Sequence, residues 1–165
     1  GSICTTRVQT GHGVPGLETI LQCAKSDRNA KIIADGGLKN SGDIVKALAA
    51  GADAVMLGSL LAGTDCSPGT TFKTESGELR KTYRGMASAA AQKDWRGRVS
   101  SREGVSSSVP YRGKLADVVK ELERGIRSGL SYSGARSVKE LQAKAQWLQQ
   151  SSASATESSA HIRLR

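Results

Sequence analysis

A parallel α/β fold is what this sequence predicts, and one pattern that occurs twice carries the prediction. From Pro15 to Lys25 the apolar residues Leu17, Ile20, Leu21 and Ala24 fall at helical spacing, and the short apolar run from Lys31 to Ala34 then ends at Asp35-Gly36-Gly37. The pattern then repeats: Ile44, Val45 and Leu48 make the inner face of a second helix, and Ala54 to Leu57 is a second continuous apolar run. Strands that are apolar throughout, rather than alternating, are covered on both faces, the condition of a parallel sheet flanked by helices.

The punctuation between these segments agrees. Asn40 or Ser41 can cap the second helix, whose orphan N–H groups need a side-chain acceptor, and Gly51 can close it with a positive φ. After Gly69 the pattern changes. Phe72, Thr74, Leu79, Lys81 and Tyr83 flank the turn Glu75-Ser76-Gly77-Glu78, which predicts a hairpin projecting from the sheet. Residues 89–108 are rich in Ser, Arg and Gly, with Trp95, Val99 and Val105 as the sizeable apolar anchors and no sustained period; they are expected to form a mobile flap. Leu115, Val118, Val119, Leu122 and Ile126 define an amphipathic helix, and Ser137 with Glu140 forms a capping box for another running to about Gln149. The tail, 151–165, has too little apolar content to order except against a neighbour.

Composition narrows the function classes. Twenty-four Lys and Arg against fifteen Asp and Glu leave a net charge of +9, which suits nucleic acid, a membrane surface or a phosphorylated substrate. The basic residues are spread from Arg80 to Arg165 without a long run, and one Phe, three Tyr and two Trp offer little stacking surface, so nucleic acid is set aside. No stretch approaches the roughly 20 apolar residues that span a bilayer, which excludes a membrane helix. Cys4, Cys23 and Cys66 are odd in number and lack C-x-x-C spacing, which argues against a disulfide framework or a zinc site and for a reduced, cytoplasmic protein.

Three places carry residues suited to chemistry. In Gly1-Ser2-Ile3-Cys4-Thr5-Thr6-Arg7 a thiol sits among small residues and hydroxyls, a setting for a nucleophile, although a small buried hydrophobe in a turn has the same look. Gly36-Gly37 and Gly58-Ser59 follow the two apolar runs, where backbone N–H groups can approach a phosphate, although glycines there also serve simple turns. Asp35 can accept from two ribose hydroxyls, or can merely cap a loop.

Cys4-Thr5-Thr6-Arg7, Gly13-Val14-Pro15, Ala34-Asp35-Gly36-Gly37, Ser41-Gly42-Asp43, the run from Val55 to Thr64 and Tyr83-Arg84-Gly85-Met86 occur together in this order. On these motifs the chain, from Gly1 to about Gln150, resembles the C-terminal part of the catalytic domain of the IMP dehydrogenase and GMP reductase family. The resemblance implies the C-terminal portion of a (β/α)8 TIM barrel. Such a barrel needs about 250 residues, so a chain of 165 should supply only the loop after the sixth strand, the last two strands with their helices, the hairpin and the flap. Residues 1–150 would be that partial barrel, with a catalytic loop over 1–16 and the flap over 89–108, and 151–165 a separate tail. The N-terminal barrel half would have to come from elsewhere.

The resemblance also implies roles. Cys4 would form a covalent thioimidate with a purine mononucleotide, and Thr6 with Glu103 would manage protons for the water or ammonia that enters or leaves. Ser2, Asp35, Gly36, Gly37, Gly58, Ser59, Tyr83, Gly85, Met86 and Ala87 would bind the nucleotide. Main-chain carbonyls of Gly1, Cys4, Glu157, Ser158 and Ser159 would hold a potassium ion between subunits of a homotetramer.

The family contains two reactions, NADPH-dependent reductive deamination of GMP to IMP and NAD-dependent oxidation of IMP to XMP. In the dehydrogenase branch a long flap carrying an Arg-Tyr pair replaces the departing cofactor, whereas the reductase keeps its cofactor in place. Here Ala89 to Arg102 is short and holds no Arg-Tyr pair, which favours the reductase and NADPH. Tyr83-Arg84-Gly85-Met86 and the tail Thr156-Glu157-Ser158-Ser159 look like the dehydrogenase and NAD, and Ala87 matches neither branch. A noncatalytic nucleotide-binding fragment is the third reading.

Overall fold

The computed structural model describes residues 3–26, 29–100 and 103–158. Two short helices, α1 (Thr6–Thr10) and α2 (Gly16–Cys23), lead into strand β1 (Ile33–Asp35), helix α3 (Ser41–Ala49), strand β2 (Ala54–Met56) and the one-turn helix α4 (Ser59–Ala62). Both predicted helix-and-strand repeats are present. Strands β1 and β2 pair in parallel with Ile33 opposite Ala54 and Asp35 opposite Met56, so the loops that leave them emerge at the same edge of the sheet. Asn40 is the cap of α3, its side-chain oxygen accepting the Asp43 N–H at 2.9 Å, and Gly51 closes the helix end at φ +117°.

An antiparallel sheet of three strands follows. Strands β3 (Thr71–Lys73) and β4 (Leu79–Arg84) form the predicted hairpin, with Phe72 opposite Arg80. The third strand comes from the segment expected to be a flap without regular structure. That segment contains helix α5 (Ala89–Arg96) and then β5 (Ser106–Pro110), which pairs with β4 from Arg84 opposite Ser106 to Arg80 opposite Pro110. Ser88 caps α5 by accepting the Ala91 N–H at 3.2 Å, and Gly97 ends it at φ +68°. No apolar period announced this helix because its buried face is made by Ala91 and Gln92, while Trp95 is exposed.

Helix α6 (Leu115–Tyr132) packs along α3, and α7 (Val138–Lys144) closes the same core. Ile44, Leu48, Ala135 and Leu141 are its buried residues, with Leu122, Ile126 and Leu130 of α6 packed against them. Val119, expected on the inner face of α6, is exposed. Ser137 accepts the Glu140 N–H at 3.2 Å as a capping box requires, while the Glu140 carboxylate takes the Arg136 N–H at 3.0 Å instead of the cap residue's own. Helix α7 ends five residues before the expected Gln149, because the backbone at Ala145 turns extended at ψ 127°. The tail holds one further helix, α8 (Ser152–Glu157). No helix among the described residues is long and apolar enough to cross a membrane.

The two halves meet where the turn after α4 runs beside the end of β5. Arg112 donates its N–H to the Gly63 carbonyl at 2.8 Å, and Asp65 donates to the Gly113 carbonyl at 2.8 Å. A Cβ on Gly63 would run into the Pro110 carbonyl oxygen, a backbone atom that cannot step aside alone. A Gly63→Ala change is therefore expected to cost about 1–3 kcal/mol, the usual penalty for forcing an extra methyl into a filled space. Chemical denaturation checks it; an unchanged midpoint would show that the two segments part freely.

Candidate functional site

Cys4 bridges Gly104 through its backbone, between half-buried Ile3 and Thr5, while the residue itself is exposed. Thr5 donates its N–H to the Glu103 carbonyl at 3.0 Å, and Val105 donates to the Ile3 carbonyl at 3.1 Å. Val105 also accepts the Gly85 N–H at 3.2 Å, and Gly104 forms a second bridge to Ser88. Three segments distant in sequence, 3–5, 85–88 and 103–105, thus run side by side. Space in the middle is tight: a Cβ on Gly104 would sit 3.0 Å from the Ser88 nitrogen and 3.2 Å from the Ala87 carbonyl carbon.

This ladder brings the three predicted catalytic side chains together. The Cys4 thiol donates to the Thr6 hydroxyl at 3.2 Å, and that hydroxyl donates to Glu103 Oε2 at 2.7 Å. The Thr6 hydroxyl and backbone N–H hold the Cys4 thiol below its ordinary pKa, because both stabilise the thiolate; the negative charge of Glu103 opposes them. A thiol, a hydroxyl able to pass a proton and a carboxylate able to receive it are therefore joined by consecutive hydrogen bonds.

The predicted nucleotide-binding residues divide between two clefts. Asp35, Gly36 and Gly37 line one of about 520 Å³ together with Leu17, Ile33 and Leu38. Gly36 and Gly37 have φ of +91° and +78°, a left-handed pair that glycine adopts without strain and that turns the chain sharply away from β1. Gly58, Tyr83 and Met86 line the other, of about 780 Å³, with Ser106 and Ser107. The Tyr83 hydroxyl stands 3.1 Å from where a Cβ on Gly58 would be, so the glycine leaves that hydroxyl room. Ser59 opens α4 directly after Gly58, and Gly85 and Ala87 flank Met86, whose side chain is exposed. Gly1, Ser2 and Ser159 lie outside the described residues, Glu157 ends α8, and Ser158 follows it. Among the described residues no three His, Cys, Asp or Glu side chains group as a metal site.

Two residues that the sequence did not single out for this site support its walls. Lys81, named only as a hairpin residue, is buried, and its ammonium donates to the carbonyls of Thr64 at 2.7 Å, of Asp65 at 3.4 Å and of Ser67, fastening the 64–67 turn to β4 on the side of the larger cleft. Gln92 is buried on α5; its Nε2 donates to the Ala87 carbonyl at 2.9 Å and its Oε1 accepts the Ser100 N–H at 2.9 Å. A lysine in an alternating strand and a glutamine in a polar segment read as solvated from sequence. The Ser88 cap, the alanine run and Gly97 were the signals that could have placed Gln92 on a helix.

A sequence profile for the IMP dehydrogenase / GMP reductase domain matches residues 1–161. The chain belongs to the IMP dehydrogenase and GMP reductase family. It is 50% identical to an inosine-5′-monophosphate dehydrogenase of Aquifex aeolicus over 98% of its own length and 35% of the relative's, and 47% identical to one of Nitrosopumilus maritimus over 98% and 37%. Among solved structures it resembles a cysteine-to-alanine variant of GMP reductase from Trypanosoma brucei in complex with guanosine 5′-monophosphate, at a TM-score of 0.92 and 42% identity, covering 99% of this chain and 35% of that one. The chain thus spans a little over a third of the length of these family members.

The line of donors fixes how the thiol should titrate. Thr6→Val removes a group that favours the thiolate, so the Cys4 pKa should rise; Glu103→Gln removes an opposing charge, so it should fall. The pH dependence of iodoacetamide alkylation, followed on the Cys4 peptide by mass spectrometry, reads both. Opposite displacements are expected, and coincident profiles would mean that neither group reaches the sulfur.

Proposed function

We propose that the protein of which this chain forms part is a purine nucleotide oxidoreductase that reduces GMP to IMP and ammonia through a covalent intermediate on Cys4. The observation that carries this reading is the line from the Cys4 thiol through Thr6 to Glu103, at 3.2 and 2.7 Å. The electrophile is C2, the carbon that bears the exocyclic amine in guanine. The Cys4 thiol gives its proton through Thr6 to Glu103, the thiolate adds there, the bond to the amine breaks, and ammonia leaves with that proton returned through Thr6; the product is a thioimidate. Nicotinamide, as NADPH, supplies a hydride to the same carbon when bound. The carbon–sulfur bond then breaks, returning the thiolate and releasing IMP. The line is as well suited to activating water as to protonating ammonia, so it does not by itself choose between the two reactions of the family.

The built flap favours the reductase. Between Gly85 and Val105 stands α5, residues 103–105 lie on the Cys4 ladder, and Arg84 pairs with Asp94 at 2.6 Å. A segment so tied leaves little chain to swing into a vacated cofactor site. The dehydrogenase reading, with NAD, rests on the relatives that carry that name and on Tyr83-Arg84. In either case we place the phosphate near Gly36, Gly37, Gly58, Ser59 and Tyr83, the ribose at Asp35, and the base beside Ser2, Gly85, Met86 and Ala87.

We further propose that β1 and β2 are neighbours in an eight-stranded barrel completed by residues outside this chain, since Ile33 and Met56 leave apolar surface open. Residues of that other part would hold most of the cofactor. Carbonyls of Gly1, Cys4, Glu157, Ser158 and Ser159 would meet at a potassium ion in a homotetramer.

Nicotinamide absorbance in the near ultraviolet decides between the readings in the full-length protein: it should fall with GMP and NADPH, whereas a rise with IMP and NAD would assign the dehydrogenase. Silence in both cuvettes with nucleotide still bound would favour a noncatalytic binding protein. Cys4→Ala should abolish turnover while leaving nucleotide affinity near that of the wild type, and retained turnover would remove the covalent step. Glu103→Gln should slow the ammonia step by roughly 10²–10⁴-fold, the usual size of a lost acid–base group, and hydride transfer much less.

A further inference from the structure

Among the described residues Lys81 is the one charged side chain that is buried, at 3% exposure, and the three donors of its ammonium meet the carbonyls of Thr64, Asp65 and Ser67. Burying an ammonium is costly unless its partners are held in place for it. The bonds continue beyond those carbonyls. Buried Thr64 sends both its N–H, at 3.0 Å, and its hydroxyl, at 2.8 Å, to the Leu61 carbonyl, and Leu61 donates its N–H to the Gly58 carbonyl at 3.1 Å. Tyr83 approaches the same glycine from the strand. It stands two residues after Lys81 on β4 and so shares that residue's face, and its hydroxyl lies 3.1 Å from where a Cβ on Gly58 would be. Lys81, Thr64, Leu61, Gly58 and Tyr83 thus close a ring at the wall of the larger cleft, which Thr64, Leu61, Gly58 and Tyr83 line.

We infer that Lys81 is a positioning residue that holds Gly58 and Ser59 at a set distance from the Tyr83 hydroxyl, so that backbone and phenol grip one phosphate group between them. The inference rests on the placement of the nucleotide phosphate at Gly58, Ser59 and Tyr83, and it is the same for either reaction of the family. The Lys81 ammonium is occupied by carbonyls, so the residue acts through the wall and not as a charge offered to the phosphate. Other bonds keep the turn near β4 when Lys81 is changed. Asp65 accepts the Leu115 N–H at 3.0 Å and donates its own to the Gly113 carbonyl at 2.8 Å, and the Thr82 hydroxyl accepts the Thr70 N–H at 2.9 Å. Loss of the ammonium should therefore loosen the wall without removing it.

GMP and guanosine differ only in the phosphate, so calorimetry of both on the full-length protein isolates that group. Lys81→Met keeps the stem and removes the donors; Thr64→Val keeps the shape and removes the hydroxyl bond to Leu61, the next link. Lys81→Met should lower the preference for GMP over guanosine severalfold, with guanosine affinity near that of the wild type, and Thr64→Val should lower it in the same sense by less. Adding Tyr83→Phe to Lys81→Met should weaken GMP binding by less than the two changes taken separately, because a phenol that no longer faces a fixed Gly58 has little left to lose. A merely structural lysine would weaken both ligands in parallel, and that result, an unchanged preference in both variants or fully additive effects would overturn the inference. If Lys81→Met does not fold, Thr64→Val alone and with Tyr83→Phe decides on the same terms. A wild-type protein that binds GMP no better than guanosine would remove the phosphate placement itself, whereas a wild-type preference that the variants keep removes only the role of Lys81.

Discussion

Everything at the candidate site depends on closing a loop of 97 residues between Thr6 and Glu103. Bringing the ends of a flexible loop of that length together costs on the order of 4 kcal/mol before any ordering of side chains, by the logarithmic law for loop closure. One hydrogen bond to a carboxylate, at about 1.5–3 kcal/mol, cannot offset it. The closure is shared instead. Five registered pairs between β4 and β5 bring the chain back most of the way, and the backbone bonds of Ile3, Thr5 and Gly85 to residues 103–105 complete it. The line from Cys4 through Thr6 to Glu103 is thus a consequence of sheet pairing, and the side chains at its end need only choose rotamers.

That division of labour explains why Gly104 matters more than its size suggests. It is the point where the Cys4 segment and the Ser88 segment both come within backbone contact of residues 103–105, and a side chain there would press on the backbone of Ala87 and Ser88. The surface segment that carries Cys4 is held by neighbouring backbones, while the thiol itself stays open to solvent. Such an arrangement keeps a thiol accessible without leaving it on a freely moving loop.

The framework was legible because it is written in apolar periodicity: α2 buries Ile20, β1 buries Ala34, α3 buries Ile44 and Leu48 and α6 buries Val118, and Asn40 caps where a short polar side chain should. Cys4, Thr6 and Glu103 could be connected only through the family's motifs, since nothing local relates residues so far apart. What escaped was structure held by polar or small groups. Helix α5 buries Ala91 and Gln92 rather than leucines, β5 is Ser106-Ser107-Ser108 before its first branched residue, and Lys81 hides its charge among carbonyls. Pattern reading assigns such residues to solvent because polarity is its signal for the outside, and only the satisfied hydrogen bonds show otherwise.

Lys81 has one more implication. Its ammonium occupies a nest of carbonyl oxygens from Thr64, Asp65 and Ser67 much as a free monovalent cation could. A free ion would exchange with the medium, and the turn beside the larger cleft would then tighten and loosen with ionic composition. A cation tethered by a four-carbon stem has a high and constant effective concentration at its own site. This wall is consequently indifferent to which salts surround the protein, and any dependence of its behaviour on a particular alkali ion must arise at another place.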